Sequence, residues 1–99
     1  MDKLSVVKTM IYGGKINKNM VAQLQAIGCN AIGLSGADGN AIQAVKRPVK
    51  EVDFGYVGDI TGINTSFFKL LLQAQYVPVC CAITHDQKGQ LLNTNADTI

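Results

Sequence analysis

Just before its last two residues the chain carries Asn93-Thr94-Asn95-Ala96-Asp97, where two carboxamides and a carboxylate alternate with small residues. A carboxamide donates to a carboxylate or carbonyl and accepts from an N–H, so a pair of them suits a small, polar, zwitterion-like ligand. A carboxylate beside such a pair can order lysine ammoniums around a phosphoryl group in transit. The apolar run before Asn93 reads as a strand, which delivers it to the rim where open α/β sheets place ligands. The competing reading is structural: Asn95 or Asp97 caps a helix that opens there. Spacing alone leaves both open.

The other polar clusters carry weaker signals. Gly33, Gly36 and Gly39 of GLSGADGN are spaced GxxGxxG, which matches neither a dinucleotide fingerprint nor a Walker loop. A structural turn after a strand accounts for it; backbone amides that cradle an anion are the alternative. His85 is the one histidine, in a polar turn with no nucleophile nearby in sequence. Lys46, Arg47 and Lys50 read as a solvated edge strand rather than a phosphate site. Cys29, Cys80 and Cys81 lack metal-ligand spacing, so no metal site is expected, and they fit buried, reduced thiols of a cytoplasmic protein.

The elements that must position these residues follow from periodicity. Leu4, Val7, Ile11, Met20, Leu24 and Ile27 form a helical stripe, which predicts one long helix over about 3–27. Gly13-Gly14 favours a kink or the close approach of another backbone, and Gly28 suits the C-terminal cap. CNAIGL predicts a buried strand, and RPVKEVDFGYVGDI a β-hairpin. Asn64-Thr65-Ser66 offers N-cap chemistry to a helix through FFKLLLQAQ. Pro78 ends it, VPVCCAIT becomes the next strand, HDQKGQ a turn and QLLN a returning strand. Strand, helix, strand order with buried strands predicts an α/β fold on a mostly parallel sheet.

Composition removes whole classes of function. A net charge of +2 over 99 residues, with no basic stripe, argues against nucleic acid. No apolar stretch approaches the roughly 20 residues that span a bilayer. Charged residues make up only 16% of the chain, so part of its apolar surface is expected to be covered by something else.

Three stretches in order, YGGKINKNMVAQLQAIGCNAIGLSGADGN, VKRPVKEVDFGYVGDI and LLNTNADTI, resemble the amino-acid kinase family, and within it the kinases of N-acetyl-L-glutamate. The resemblance covers essentially all 99 residues. It implies a three-layer αβα sandwich and transfer of the γ-phosphoryl of ATP, with Mg2+, to the side-chain carboxylate of N-acetylglutamate in arginine biosynthesis. By motif, Asn93 and Asn95 match positions that touch the acyl amino acid, and Asp97 matches the carboxylate that positions catalytic lysines. It also implies that residues 1–99 are the central, acceptor-side segment, without the family's N-terminal start or its nucleotide-binding half. Lys8 and Lys15 do not match the family's Lys-x-Gly-Gly lysine. A chain so bounded is expected to be inactive alone and to pair as a homodimer through the helix at about 3–27. Two alternatives remain: a self-associating structural piece without catalysis, and a kinase of N-succinylglutamate.

Overall fold

In the computed structural model, which describes residues 3–48 and 55–94, the helical stripe becomes α1, Lys3–Ala26. Gly28 ends it with φ +83. Its N–H donates to the Gln25 carbonyl (3.0 Å), and the Cys29 N–H donates to that of Leu24 (3.0 Å). This paired motif satisfies carbonyls the helix leaves open, and glycine adopts the left-handed turn without a Cβ penalty. The Gly13-Gly14 pair lies within this helix. The helix runs through it unbroken, and a Cβ at either position would meet nothing within 4 Å. Among the described residues no second backbone approaches them.

β1 (Ala31–Leu34) follows and pairs in parallel with β4 (Val77–Cys80), in register from Ala31–Val77 to Leu34–Cys80. The Val77 N–H bonds Asn30 and the Cys81 N–H bonds Leu34. The N–H that Pro78 lacks therefore falls on the opposite edge of β4, where no ladder needs it. α1 lies close over this pair at Gly33: a Cβ there would clash with Asn17 Oδ1 and stand 2.9 Å from Lys18 Nζ. The absent side chain lets Asn17 sit buried with Nδ2 donating to the Val79 carbonyl (2.9 Å). Lys18 Nζ donates to the Gly33 carbonyl (3.0 Å). One helix turn thus bonds both strands.

The remaining strands build a second sheet in the order β3-β2-β5-β6, with β2 Ile42–Lys46, β3 Gly58–Ile63, β5 Ile83–His85 and β6 Leu91–Asn93. β2–β3 and β5–β6 are antiparallel, β2–β5 parallel. Parallel pairing therefore accounts for only part of this α/β fold. The sheet also curls back on itself, since Asn93 forms a parallel bridge with Val57, just ahead of β3. Ile42, Ala44, Thr84 and Leu92 fill the curl, all at 2% exposure or less. Val49, Val52 and Phe54 of the expected hairpin lie outside the described residues.

VPVCCAIT forms two strands rather than one. Cys81 still bonds β1 through Leu34, but the Ala82 carbonyl already accepts from the Thr94 N–H (2.9 Å). The chain changes sheets between these residues. Gly36 makes the matching passage from β1 to β2: its N–H donates to Ile83 and its carbonyl accepts from Ile42. A Cβ there would stand 2.8 and 2.9 Å from the Ile42 and Ile83 carbonyl oxygens, which are backbone and have no room to yield.

α2 (Thr65–Gln73) starts as expected, with Asn64 Oδ1 accepting from the Phe67 N–H (3.2 Å). The same carboxamide donates to the Gly39 carbonyl (3.0 Å), so the cap also ties α2 to the glycine-rich turn. No helix among the described residues is long and apolar enough to cross a membrane.

Candidate functional site

Asn93 closes β6, half-buried, opposite Ile83 of β5. Its N–H donates to the Tyr56 carbonyl (2.9 Å). Strand alternation turns Leu92 and Thr94 into the curl, both buried, and leaves Leu91 and Asn93 on the other side. Asn93 therefore stands where the hairpin β5–β6 meets the segment entering β3. Asn95 and Asp97 lie outside the described residues. Of the three residues singled out by their spacing, the structure places one.

The loop end of the β2–β3 pair brings charge to this side of the molecule. Arg47 Nη2 and Nε lie 2.9 and 3.1 Å from Asp59 Oδ1. Lys46 Nζ stands 5.2 Å from the Tyr56 ring centroid, a cation–π distance. Asp59 is paired with Val45, so Arg47 reaches it diagonally across the antiparallel ladder, where a largely solvated pair contributes at most about 1 kcal/mol. Two of the three basic residues of KRPVKE thus have partners within the hairpin.

The glycine-rich turn does not present an open anion cradle. The Asp38 carboxylate already accepts from the Ser35 N–H (2.8 Å) and Ser35 Oγ (2.9 Å). The Gly36, Ala37, Asp38 and Asn40 N–H groups are taken by Ile83, Ser35 Oγ, Ser35 and Ala37. Its own aspartate occupies the place an external anion would take.

His85 is held by a contact that sequence spacing did not reveal. Asn40 Oδ1 lies 2.8 Å from His85 Nε2 and 3.2 Å from Gln87 Nε2. A carboxamide oxygen only accepts, so Nε2 carries the proton here. The one sequence signal was Asn40 itself, a residue suited to the left-handed turn it adopts at φ +51. Across the hairpin tip, Asp86 accepts from the Lys88 and Gln90 N–H groups, which hold its carboxyl below the usual carboxylate range.

The three cysteines are free thiols, and Cys80 is exposed rather than buried as expected. β4 has β1 beside it and no described strand on its other edge. Partial desolvation of the Cys80 thiol by its surroundings, then the neighbouring Cys81, pushes it up from its ordinary value, so it stays protonated. A recess of about 90 Å³ lies between Gly13, Ile16 and Met20 of α1 and Val79, Cys80 and Cys81. This is well under the roughly 300 Å³ at which small-molecule sites begin.

Residues 2–99 match the amino acid kinase family. The chain is similar to the acetylglutamate kinase of Phocaeicola vulgatus, at 60% identity over 98 residues that cover 99% of this chain and 38% of that relative. It is 44% identical to the acetylglutamate kinase of Methanopyrus kandleri over 101 residues, 98% of this chain and 41% of that protein. Among solved structures, smu.665 from Streptococcus mutans UA159 aligns with a TM-score of 0.69 at 28% identity, over 81% of this chain and 32% of the other. The chain thus spans well under half the length of the curated relatives it matches.

Proposed function

The chain belongs to the amino-acid kinase family, and we propose that it forms the acceptor-side segment of a longer enzyme that phosphorylates N-acetyl-L-glutamate. The observation that carries this reading is the 60% identity, across nearly the whole chain, to a relative named acetylglutamate kinase. In it, Asn93 and Asn95 hold the acyl amino acid by carboxamide hydrogen bonds. Asp97 orders the lysine ammoniums that stabilise charge on the phosphoryl group as it moves from ATP to the acceptor carboxylate. Such transfer depends on positioning and electrostatics more than on covalent help from the protein.

ATP is the donor, accompanied by Mg2+. Among the described residues no three His, Cys, Asp or Glu side chains gather as a metal site. In keeping with the family resemblance, and with a chain that spans 38% of that relative, most of the nucleotide site belongs to the remainder of the full-length protein. The setting is cytoplasmic and the pathway arginine biosynthesis. The full-length protein is expected to phosphorylate N-acetylglutamate in an ATP-dependent assay, while the 99-residue chain alone shows no turnover. Turnover by the isolated chain would contradict the segment assignment. Faster use of N-succinylglutamate by the full-length protein would move the acceptor to that acyl group.

Pairing through α1 is a second component of the proposal, favoured by its uncovered apolar side chains. Ile11, Tyr12, Ile16 and Met20 are all exposed, and the space beside Gly13 and Gly14 is open. A helix crossing at a glycine pair brings two backbones close. The 99-residue chain is expected to sediment as a dimer at micromolar concentration, and the variant Ile16→Asp as a monomer. A wild-type chain that sediments only as a monomer removes this interface.

A further inference from the structure

One buried feature is not used by the chemistry above. Thr84 and Thr94 are 0% and 7% exposed, and their Oγ1 atoms lie 2.7 Å apart across the β5–β6 hairpin. Thr94 Oγ1 also reaches the Gly58 carbonyl (3.4 Å), and Thr84 Oγ1 that of Leu92 (3.5 Å). Each hydroxyl has one proton, and two arrangements satisfy both. Either Thr84 donates to Thr94 and Thr94 to Gly58, or Thr94 donates to Thr84 and Thr84 to Leu92. The short bond is common to both.

Packing alone does not require these hydroxyls. Valine has the same branched shape and suits a buried strand as well, without the cost of removing a hydroxyl from water. What the hydroxyl pair adds is dependence on register. If β6 slips by one residue, the side chains at 92 and 94 turn outward and Asn93 turns into the curl. Thr84 then loses its partner in the buried interior, and an unpaired buried hydroxyl is more costly than a mismatched methyl. The Thr94 N–H, bonded to Ala82, holds the backbone at the same point.

We propose that Thr94, together with Thr84, is a positioning residue for the acceptor: the buried hydroxyl pair locks the end of β6 between the two hairpins and so sets where Asn93 is presented. The contact to Gly58 extends this lock to the start of β3. Motion of the β2–β3 hairpin and placement of Asn93 are thereby linked at one oxygen. This inference rests on the acceptor reading given above for Asn93.

The test uses the full-length protein with Thr94→Val and Thr94→Ser. T94V is expected to raise the KM for N-acetylglutamate about five- to tenfold, the loss of roughly one hydrogen bond, while the KM for ATP stays within about twofold. T94S retains the hydroxyl and restores the acceptor KM. Amide hydrogen exchange, read without any substrate, is expected to show lower protection at Asn93 in T94V than in wild type or T94S. The double variant T84V/T94V leaves no hydroxyl unpaired and carries the same readouts should T94V fail to fold. Equal loss in both KM values with a lowered melting temperature and no rescue by T94S would reduce the pair to a packing element and overturn the proposal. So would unchanged KM values with unchanged protection at Asn93. If the wild-type protein phosphorylates no acyl-glutamate, the acceptor assignment fails by that result alone, and exchange at Asn93 still decides whether the lock exists.

Discussion

Asp97→Asn in the full-length protein is expected to lower the turnover number for N-acetylglutamate phosphorylation by about 10²–10³ while changing the acceptor KM little, since removal of one preorganised electrostatic group typically costs that much. The substitution keeps the shape, removes the charge and replaces one acceptor oxygen by an NH2 donor. In the proposed role Asp97 does not touch the acceptor. It holds ammonium groups at the positions where charge develops on the phosphoryl oxygens, so its loss is felt in the transition state rather than in substrate binding. Asn93 and Asn95 have the opposite assignment, and their variants should act first on the acceptor KM. Steady-state kinetics of D97N separate the two roles. A turnover number within about threefold of wild type would return Asp97 to the simpler role of helix cap.

The second large effect is on stability. Leu92 is completely buried at the centre of the curled sheet, and a Cβ at Gly58 would stand 2.9 Å from its own Cβ. Leu92→Ala is expected to cost about 2–5 kcal/mol, because the lost transfer energy is joined by a cavity the neighbours cannot close. Those neighbours are committed elsewhere: Thr84 and Thr94 bond each other, and Gly58 has no side chain to fill the gap. A domain is usually stable by only about 5–15 kcal/mol, so this change threatens the whole second sheet. Urea denaturation followed by circular dichroism measures it. Leu92→Met, which keeps the volume, should cost less than about 1.5 kcal/mol. Equal midpoints for L92A and wild type would show that the curl is not a packed interior.

The proposed activity and the fold depend on different ranges of interaction, and the same division separates what could be read from the residues in order. Both helices follow from neighbours a few positions apart. The i, i+3, i+4 spacing set the extent of α1, Gly28 its end, and Asn64 the start of α2. The turn at Asp86–Gln90 and the return of β6 along β5 are equally local. The family, too, was legible, because its motifs are short and contiguous and residues 2–99 match it.

Partner choice among strands was not legible, and most differences from expectation trace to it. An apolar run such as VPVCCAIT specifies extended backbone without specifying what lies beside it. Only the assembled sheets split it, as Cys81 stays with Leu34 while Ala82 turns to Thr94. The exposure of Cys80 depends on which edge of β4 is covered, and the closed anion cradle on Asp38 folding back within its own turn. Gly33 is an unremarkable glycine until Asn17 and Lys18 arrive over it from sixteen and fifteen residues away, and Thr84 and Thr94 are two ordinary threonines until the hairpin sets their oxygens 2.7 Å apart. Helix periodicity, caps and turns are written in interactions a few residues long. Strand pairing, burial and hydroxyl contacts join residues whose separation carries no local signal, and they exist only once the chain has closed on itself.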